Sequence, residues 1–260
     1  MLTDDQRRKS ASALLQAERD KNPIAQLSTT FPDITIEDAY AIQKHWVDLR
    51  VKDGARIAGH KIGLTSRAMQ MASNMTEPDY GHLLHDMIYN DGDRITAGHF
   101  MKPRIEVELA FVMGQPLKGS NVRVPDVLRA TEYVTPAMEV IDYRTHVPRK
   151  ITDTIADNAA AAAMVIGGRT VRPFDIDLRW VGASLSQNAT IEETGVSCGV
   201  MGHPAAGIAW LVNKLAAQDA GLEAGQIVLA GSFTRTVAVN AGDVFTANFG
   251  PLGALAVSFD

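Results

Sequence analysis

Apolar positions along this chain recur at two spacings, and the change from one to the other divides it. The helical spacing governs the first 55 residues. Ala39, Ile42, Trp46 and Leu49 fall on one face of a helix, because residues three and four apart are neighbours there. Thr3 with Gln6, and Thr35 with Asp38, have the spacing of a capping box, and Asp4 and Asp5 suit the positive end of a helix. The first helix is expected to run to about Lys21 and stop at Asn22-Pro23, since the residue before a proline disfavours helical geometry. Gly54 closes the second. Together they make an N-terminal helical section, residues 1–55, too small to bury a core alone and so packed on the remaining residues 56–260.

From Arg56 onward a period of two takes over. Arg56–Ile62 predicts a strand, Ser66–Met75 a short methionine-rich helix, and Leu83–Tyr89 a strand ended by the turn Asn90-Asp91-Gly92. Pro103–Val112 alternates cleanly, with Ile105, Val107 and Leu109 on one face and Glu106 and Glu108 on the other. A turn over Gly114–Asn121 leads to a helix over Val124–Glu132, and Val134–Tyr143 reads as a strand on its β-branched content. Ala159–Val165 reads equally as a buried strand or a short helix. Trp180–Leu185 and Ala189–Glu193 predict a hairpin across Ser186-Gln187-Asn188. Pro204 opens a helix with the stripe Ile208, Leu211, Val212 and Leu215, ended by Gly221 and Gly225. Strands at Gln226–Ala230, Val244–Phe249 and Ala254–Phe259 complete the chain. Strands outnumber helices after residue 55 without alternating with them, which argues for an α+β, largely antiparallel architecture over a doubly wound sheet.

Composition changes this picture little. The 46% hydrophobic content of 260 residues is ample for a sizeable core. The balance of 25 basic to 30 acidic side chains, with no basic cluster, argues against a nucleic-acid partner. The polar N-terminus and the lack of a long apolar run predict neither signal peptide nor membrane span. The one cysteine, Cys198, rules out an internal disulfide and fits a cytoplasmic protein; its neighbours Val196, Gly199 and Val200 predict a small buried thiol.

Many chemistries lack their signatures. The chain has no Gly-x-Gly-x-x-Gly after a strand, no Gly-x-x-x-x-Gly-Lys-Ser/Thr, no Gly-x-Ser-x-Gly and no His-Glu-x-x-His. What remains is oxygen ligands. Glu106 and Glu108 either line the wet face of a half-buried strand or share a cation that relieves their repulsion. Glu139, in Pro136-Ala137-Met138-Glu139-Val140-Ile141, sits among residues too apolar for an idle surface glutamate and needs a partner. Three carboxylates without cysteine or histidine suit a hard cation, magnesium or manganese, that keeps waters in its open positions. Lys61, beside Gly59 and Gly63 at a strand's end, is either a surface lysine or a general acid or base.

Taken in order, several segments resemble one family. Lys61-Ile62-Gly63-Leu64-Thr65-Ser66, Glu77-Pro78-Asp79-Tyr80-Gly81, Arg104-Ile105-Glu106-Val107-Glu108 and Glu139-Val140-Ile141-Asp142 carry most of the likeness. Asp153–Ala159, Arg179-Trp180, Glu192–Gly195, His203-Pro204, Leu222–Ile227 and Gly231–Thr234 extend it over nearly the whole chain. They are similar to the hydratase/decarboxylase group of the fumarylacetoacetate hydrolase superfamily. One departure is that the chain between Asp142 and Lys150 is shorter than in that group.

The resemblance implies a mixed β-sandwich roll with outer helices and a divalent metal, magnesium or manganese, on Glu106, Glu108 and Glu139. It implies assembly as a homo-oligomer, a pentamer or decamer, and a role in the breakdown of aromatic compounds such as homoprotocatechuate. The implied substrate is a 2-hydroxy-2,4-dienoate with a second carboxylate, 2-oxohept-4-ene-1,7-dioate or its dienol, hydrated to 4-hydroxy-2-oxoheptanedioate. Lys61, its pKa lowered by the metal's charge, would deliver a proton to the distal carbon. Asp79 would orient or deprotonate the water, unless it is only a turn residue, and Ser232 would contact the substrate. Alternatives are a 2-oxo-3-enedioate decarboxylase, a hydratase of 2-hydroxypenta-2,4-dienoate, a carbon–carbon hydrolase, or a non-catalytic metal-binding subunit.

Overall fold

The capping boxes at Thr3 and Thr35 start helices α1 (Asp4–Asp20) and α2 (Ile36–Lys52), in each case with reciprocal side-chain and backbone hydrogen bonds. The coordinates, a computed structural model, describe residues 1–260. Helix α1 ends where Lys21 turns left-handed (φ 52°), one residue before Asn22-Pro23. The two helices bury Leu14, Ile42 and Trp46 against each other and against Leu84, Met87 and Ile155 of the following chain. Their apolar faces thus form one cluster with residues far downstream.

The remaining elements are β1 (Ile57–Gly63), α3 (Arg67–Ala72), β2 (Asp79–Leu84), β3 (Ile88–Asn90), β4 (Arg104–Met113), β5 (Thr131–Ile141), α4 (Ile151–Ala156), β6 (Ala161–Ile166), β7 (Gly182–Gln187), β8 (Thr190–Val196), α5 (Pro204–Ala216), β9 (Ile227–Leu229), β10 (Val244–Asn248) and β11 (Ala254–Phe259). A short helix over Val124–Ala130 precedes β5. One sheet runs β2-β1-β9-β4-β5-β6-β3, with Val237–Ala238 added to β4; the other runs β8-β7-β10-β11 and ends on Arg94–Ile95. Most pairings are antiparallel, whereas β1–β9, β3–β6 and β11 with Arg94–Ile95 are parallel. This is the expected α+β fold built on a mixed sheet. A 37-residue cluster including Ile105, Val107, Leu109, Phe245 and Phe259 fills the space between the sheets.

Differences from the sequence reading sit at element ends. The strand expected over Leu83–Tyr89 begins earlier, at Asp79, and breaks into a 3-10 turn at His85–Met87, so Asp79 is a strand residue rather than a turn residue. The ambiguous alanine run divides into a turn over Asn158–Ala160 and strand β6. Helix α5 stops at Ala216, ahead of the glycines expected to end it. The Cys198 thiol is only half-buried, because its segment is a surface 3-10 turn.

Candidate metal centre

Strands β4 and β5 pair antiparallel in a register that sets Glu106 opposite Glu139 and Glu108 opposite Ala137. All three glutamates therefore share one sheet face, and carboxylate oxygens from each lie within 4.8 Å of one another. That face is not wet. Leu83, Ala110, Ala137, Met164 and Leu229 flank the glutamates on the same sheet, and Glu108 and Glu139 are at 0% exposure with Glu106 half-buried. The alternation in β4 separates two covered faces, one of core and one of site.

Like charges directly across a ladder repel, and burial makes these worse. Burial, then the charge of Glu139, pushes Glu106 up to about 7. The same causes, with Glu106 added, push Glu108 well above the usual carboxylate range. Glu139 is raised by burial, partly offset by the Lys61 ammonium. Only one oxygen of the deeper pair is satisfied: the Gly231 N–H donates to Glu108 Oε2 at 2.7 Å. Glu108 Oε1 and both oxygens of Glu139 have no hydrogen-bond donor. Three converging carboxylates with orphaned oxygens fit a hard divalent cation, which supplies the missing positive charge and takes oxygen ligands.

Glycine at 231 is required by this approach. Its φ is +115°, and a Cβ there would lie 2.4 Å from Thr65 Oγ1, so a side chain would force the N–H off Glu108.

Lys61, on β1, brings the nearest cation. Its Nζ lies 3.3 Å from Glu139 Oε1, an ion pair without hydrogen-bond alignment, and donates to the Ala159 carbonyl at 3.1 Å. Burial alone would depress its pKa, but Glu139, Asp79, Glu106 and Glu108 together push it up instead. The lowered value expected from the sequence rests on the charge of a bound metal, whereas this balance is that of the side chains alone, in which the four carboxylates outweigh burial. Asp79 is the register partner of Gly63 in the β1–β2 pair and is 2% exposed. Its pKa is raised by burial and pulled back by Lys61 and Arg149. Lys61, Asp79 and the three glutamates are thus brought together.

Ser232 borders them differently. Its hydroxyl is engaged by its own loop, with the Val107 carbonyl at 3.2 Å, the Thr234 carbonyl at 3.0 Å and the Thr234 N–H, which donates to it at 3.2 Å. That hydroxyl fastens the loop to β4, and the same loop's Gly231 reaches Glu108.

Sequence reasoning missed the support behind Lys61. Asn158, Ala159 and Ala160 are all left-handed (φ 52°, 49° and 62°), a conformation costing about 1–2 kcal/mol for each non-glycine residue. The turn is held from both sides. The Asn158 amide exchanges two hydrogen bonds with the His82 backbone, 2.8 and 2.9 Å. Behind it, Arg144 donates to Asp157 Oδ1 and Glu18 Oε2, each at 2.9 Å, and its guanidinium lies 4.9 Å from the centre of the Trp46 ring. No local sequence signal marks three alanine-rich left-handed residues, because packing alone imposes them.

Residues 51–259 match the fumarylacetoacetate (FAA) hydrolase C-terminal family. The chain belongs to the fumarylacetoacetate hydrolase family. Among relatives in that family, it is 52% identical over 256 residues to a 2-oxo-hept-4-ene-1,7-dioate hydratase of Escherichia coli, covering 96% of each chain. It is 36% identical to a 2-keto-4-pentenoate hydratase of Paraburkholderia xenovorans (strain LB400), covering 100% of this chain and 97% of that one. Its fold matches a 4-oxalocrotonate decarboxylase from Pseudomonas putida G7, solved with magnesium and adipate, at a TM-score of 0.97. That match is 32% identical and spans 100% of this chain and 99% of the other. Like these relatives, this family member is an enzyme, and no helix of it is long and apolar enough to cross a membrane.

Proposed function

We propose that the chain is a divalent-metal-dependent hydratase acting on 2-oxohept-4-ene-1,7-dioate, through its 2-hydroxy-2,4-dienoate form, to give 4-hydroxy-2-oxoheptanedioate. The observation that carries this reading is the buried trio of under-satisfied carboxylates beside Lys61, in a chain 52% identical to a hydratase named for that substrate. A magnesium or manganese ion held by Glu106, Glu108 and Glu139 would act as a Lewis acid, stabilising negative charge on the substrate's 2-oxygen.

The chain's own groups divide the proton movements. In ketonisation the 2-hydroxyl loses its proton and carbon 5 gains one; no water is consumed. Lys61, buried beside Glu139 and Asp79, is the group placed to deliver that proton to carbon 5. The conjugated ketone then takes hydroxide at carbon 4 and a proton at carbon 3, which together account for one water. Asp79, beside Lys61 and holding its proton more tightly than a surface aspartate, orients that water and accepts its proton. The burial of Lys61, Asp79, Glu108 and Glu139 keeps bulk water from competing for these protons.

The test is turnover of the dienol with product analysis. Glu139→Gln should lose magnesium-dependent turnover by about 100-fold or more, and Lys61→Met should lose ketonisation to a similar degree while still binding magnesium. Full activity in excess chelator with no metal bound would sink the reading, as would normal dienol disappearance in Lys61→Met. A second reading rests on the fold match to a decarboxylase. The same assay separates them, since a decarboxylase releases carbon dioxide from a 2-oxo-3-enedioate and leaves no hydrated product.

We further propose that the enzyme is a homo-oligomer working in the cytoplasm. Trp180 and Val196 support assembly: they are 68% and 41% exposed, Val196 at the open end of the β7–β8 hairpin, where it pairs with Gly182, and Trp180 just before β7.

A further inference from the structure

The proposed substrate has a second carboxylate, and three arginines stand in or near the right part of the chain: Arg67, Arg144 and Arg149. Their surroundings differ. Arg67 is exposed on the first turn of α3. Arg144 is committed within the protein, all three of its nitrogens engaged by Asp157 Oδ1, the Asp157 and Ala161 carbonyls and Glu18 Oε2.

Arg149 is different. Its side chain is 11% exposed, its guanidinium lies 3.7 Å from the centre of the Tyr143 ring, and its Nη1 is buried with no hydrogen-bond acceptor. Its only ionic neighbour is Asp157 Oδ2 at 3.6 Å, outside hydrogen-bond range. Both oxygens of that carboxylate are already taken by Arg144, one by its Nη1 and one by its backbone N–H, each at 2.9 Å. A buried guanidinium N–H without an acceptor is destabilising, and a planar fork is shaped for a carboxylate. The residue also adjoins the site: Asp157 runs directly into the turn whose Ala159 carbonyl holds Lys61, and Arg149's charge is felt at Asp79. The backbone here is fixed, because the next residue, Lys150, donates its N–H to Asp153 Oδ2 at 2.8 Å to open α4.

We propose that Arg149, stacked on Tyr143, is the specificity residue that clamps the distal carboxylate of the substrate. The proposal rests on the dicarboxylate substrate of the hydratase reading and adds the group that recognises it. It also assigns a task to the segment between Asp142 and Lys150.

Binding of two unreactive analogues to the magnesium-loaded protein, read by calorimetry, tests it without turnover. They are 2-oxoheptanedioate and 2-oxoheptanoate, which differ only in the distal carboxylate. The wild type should prefer the dicarboxylate by about 30-fold or more, as expected for a buried charge pair. Arg149→Gln should reduce that preference to about threefold or less while leaving affinity for 2-oxoheptanoate within about twofold. Arg149→Lys, which keeps the charge but not the fork, should fall between, and it carries the test if the glutamine variant does not fold. A preference retained in the variants, equal loss of affinity for both analogues, or no preference in the wild type would each overturn the clamp. Failure of the hydratase reading looks different: no protein would hydrate the dienol, whatever the analogues show.

Discussion

Glu106, Glu108 and Glu139 set the pH behaviour of the centre. Because burial and mutual repulsion raise their folded pKa values, with Glu106 at about 7, the metal-free protein holds protons there that an unfolded chain releases near pH 4.5. The sign follows directly. This contribution to stability is present at low pH and is lost as pH rises through 7. A cation must displace those protons, so magnesium affinity should increase as pH goes from 6 to 8, by up to about tenfold per unit for each proton released. Titration calorimetry at three pH values would show it, and a pH-independent dissociation constant would count against these carboxylates as ligands. At this scale the sequence was half legible. Period two placed Glu106 and Glu108 together, and the apolar company of Glu139 marked it as buried. What it hid was the neighbourhood: Leu83 and Leu229 reach this face from strands far from β4 in sequence, so nothing local in β4 says that its polar face is dry.

The elements most legible in the chain were those with end signals. The capping boxes at Thr3 and Thr35, Pro204 at the first turn of α5 and the alternation of β4 all led to elements within a few residues of their expected ends. Elements held by distant partners were not legible. Asn158–Ala160 takes its shape from His82 on one side and Arg144 on the other. Arg144 in turn joins α1, through Glu18, to the segment that carries Lys61's carbonyl partner. Arg144→Met should therefore leave buried Asp157 with only the longer Arg149 contact and Glu18 with only Arg50, costing about 3 kcal/mol and lowering the melting temperature by several degrees in a thermal melt. An unchanged melt would mean that the network contributes nothing net. The N-terminal helices are thus fastened to the back of the site, although none of their side chains is among its carboxylates.

For the whole molecule, the exposed apolar residues beside the β7–β8 hairpin are the least explained part of the surface. If copies of the chain cover them, Trp180→Glu should shift sedimentation to a smaller species, with catalysis per site changed less than assembly. A monomeric wild type would remove the oligomer from the account. The uneven burial of the three glutamates has a further result. Glu108 and Glu139 are sealed, so a cation arriving from water passes Glu106 before it reaches them. On the proposed reading the substrate comes to the same half-open edge and then stands in the ion's way out. Loading becomes a queue with a fixed order, ion first and organic acid second, and exchange of the ion should stall for as long as the organic acid remains.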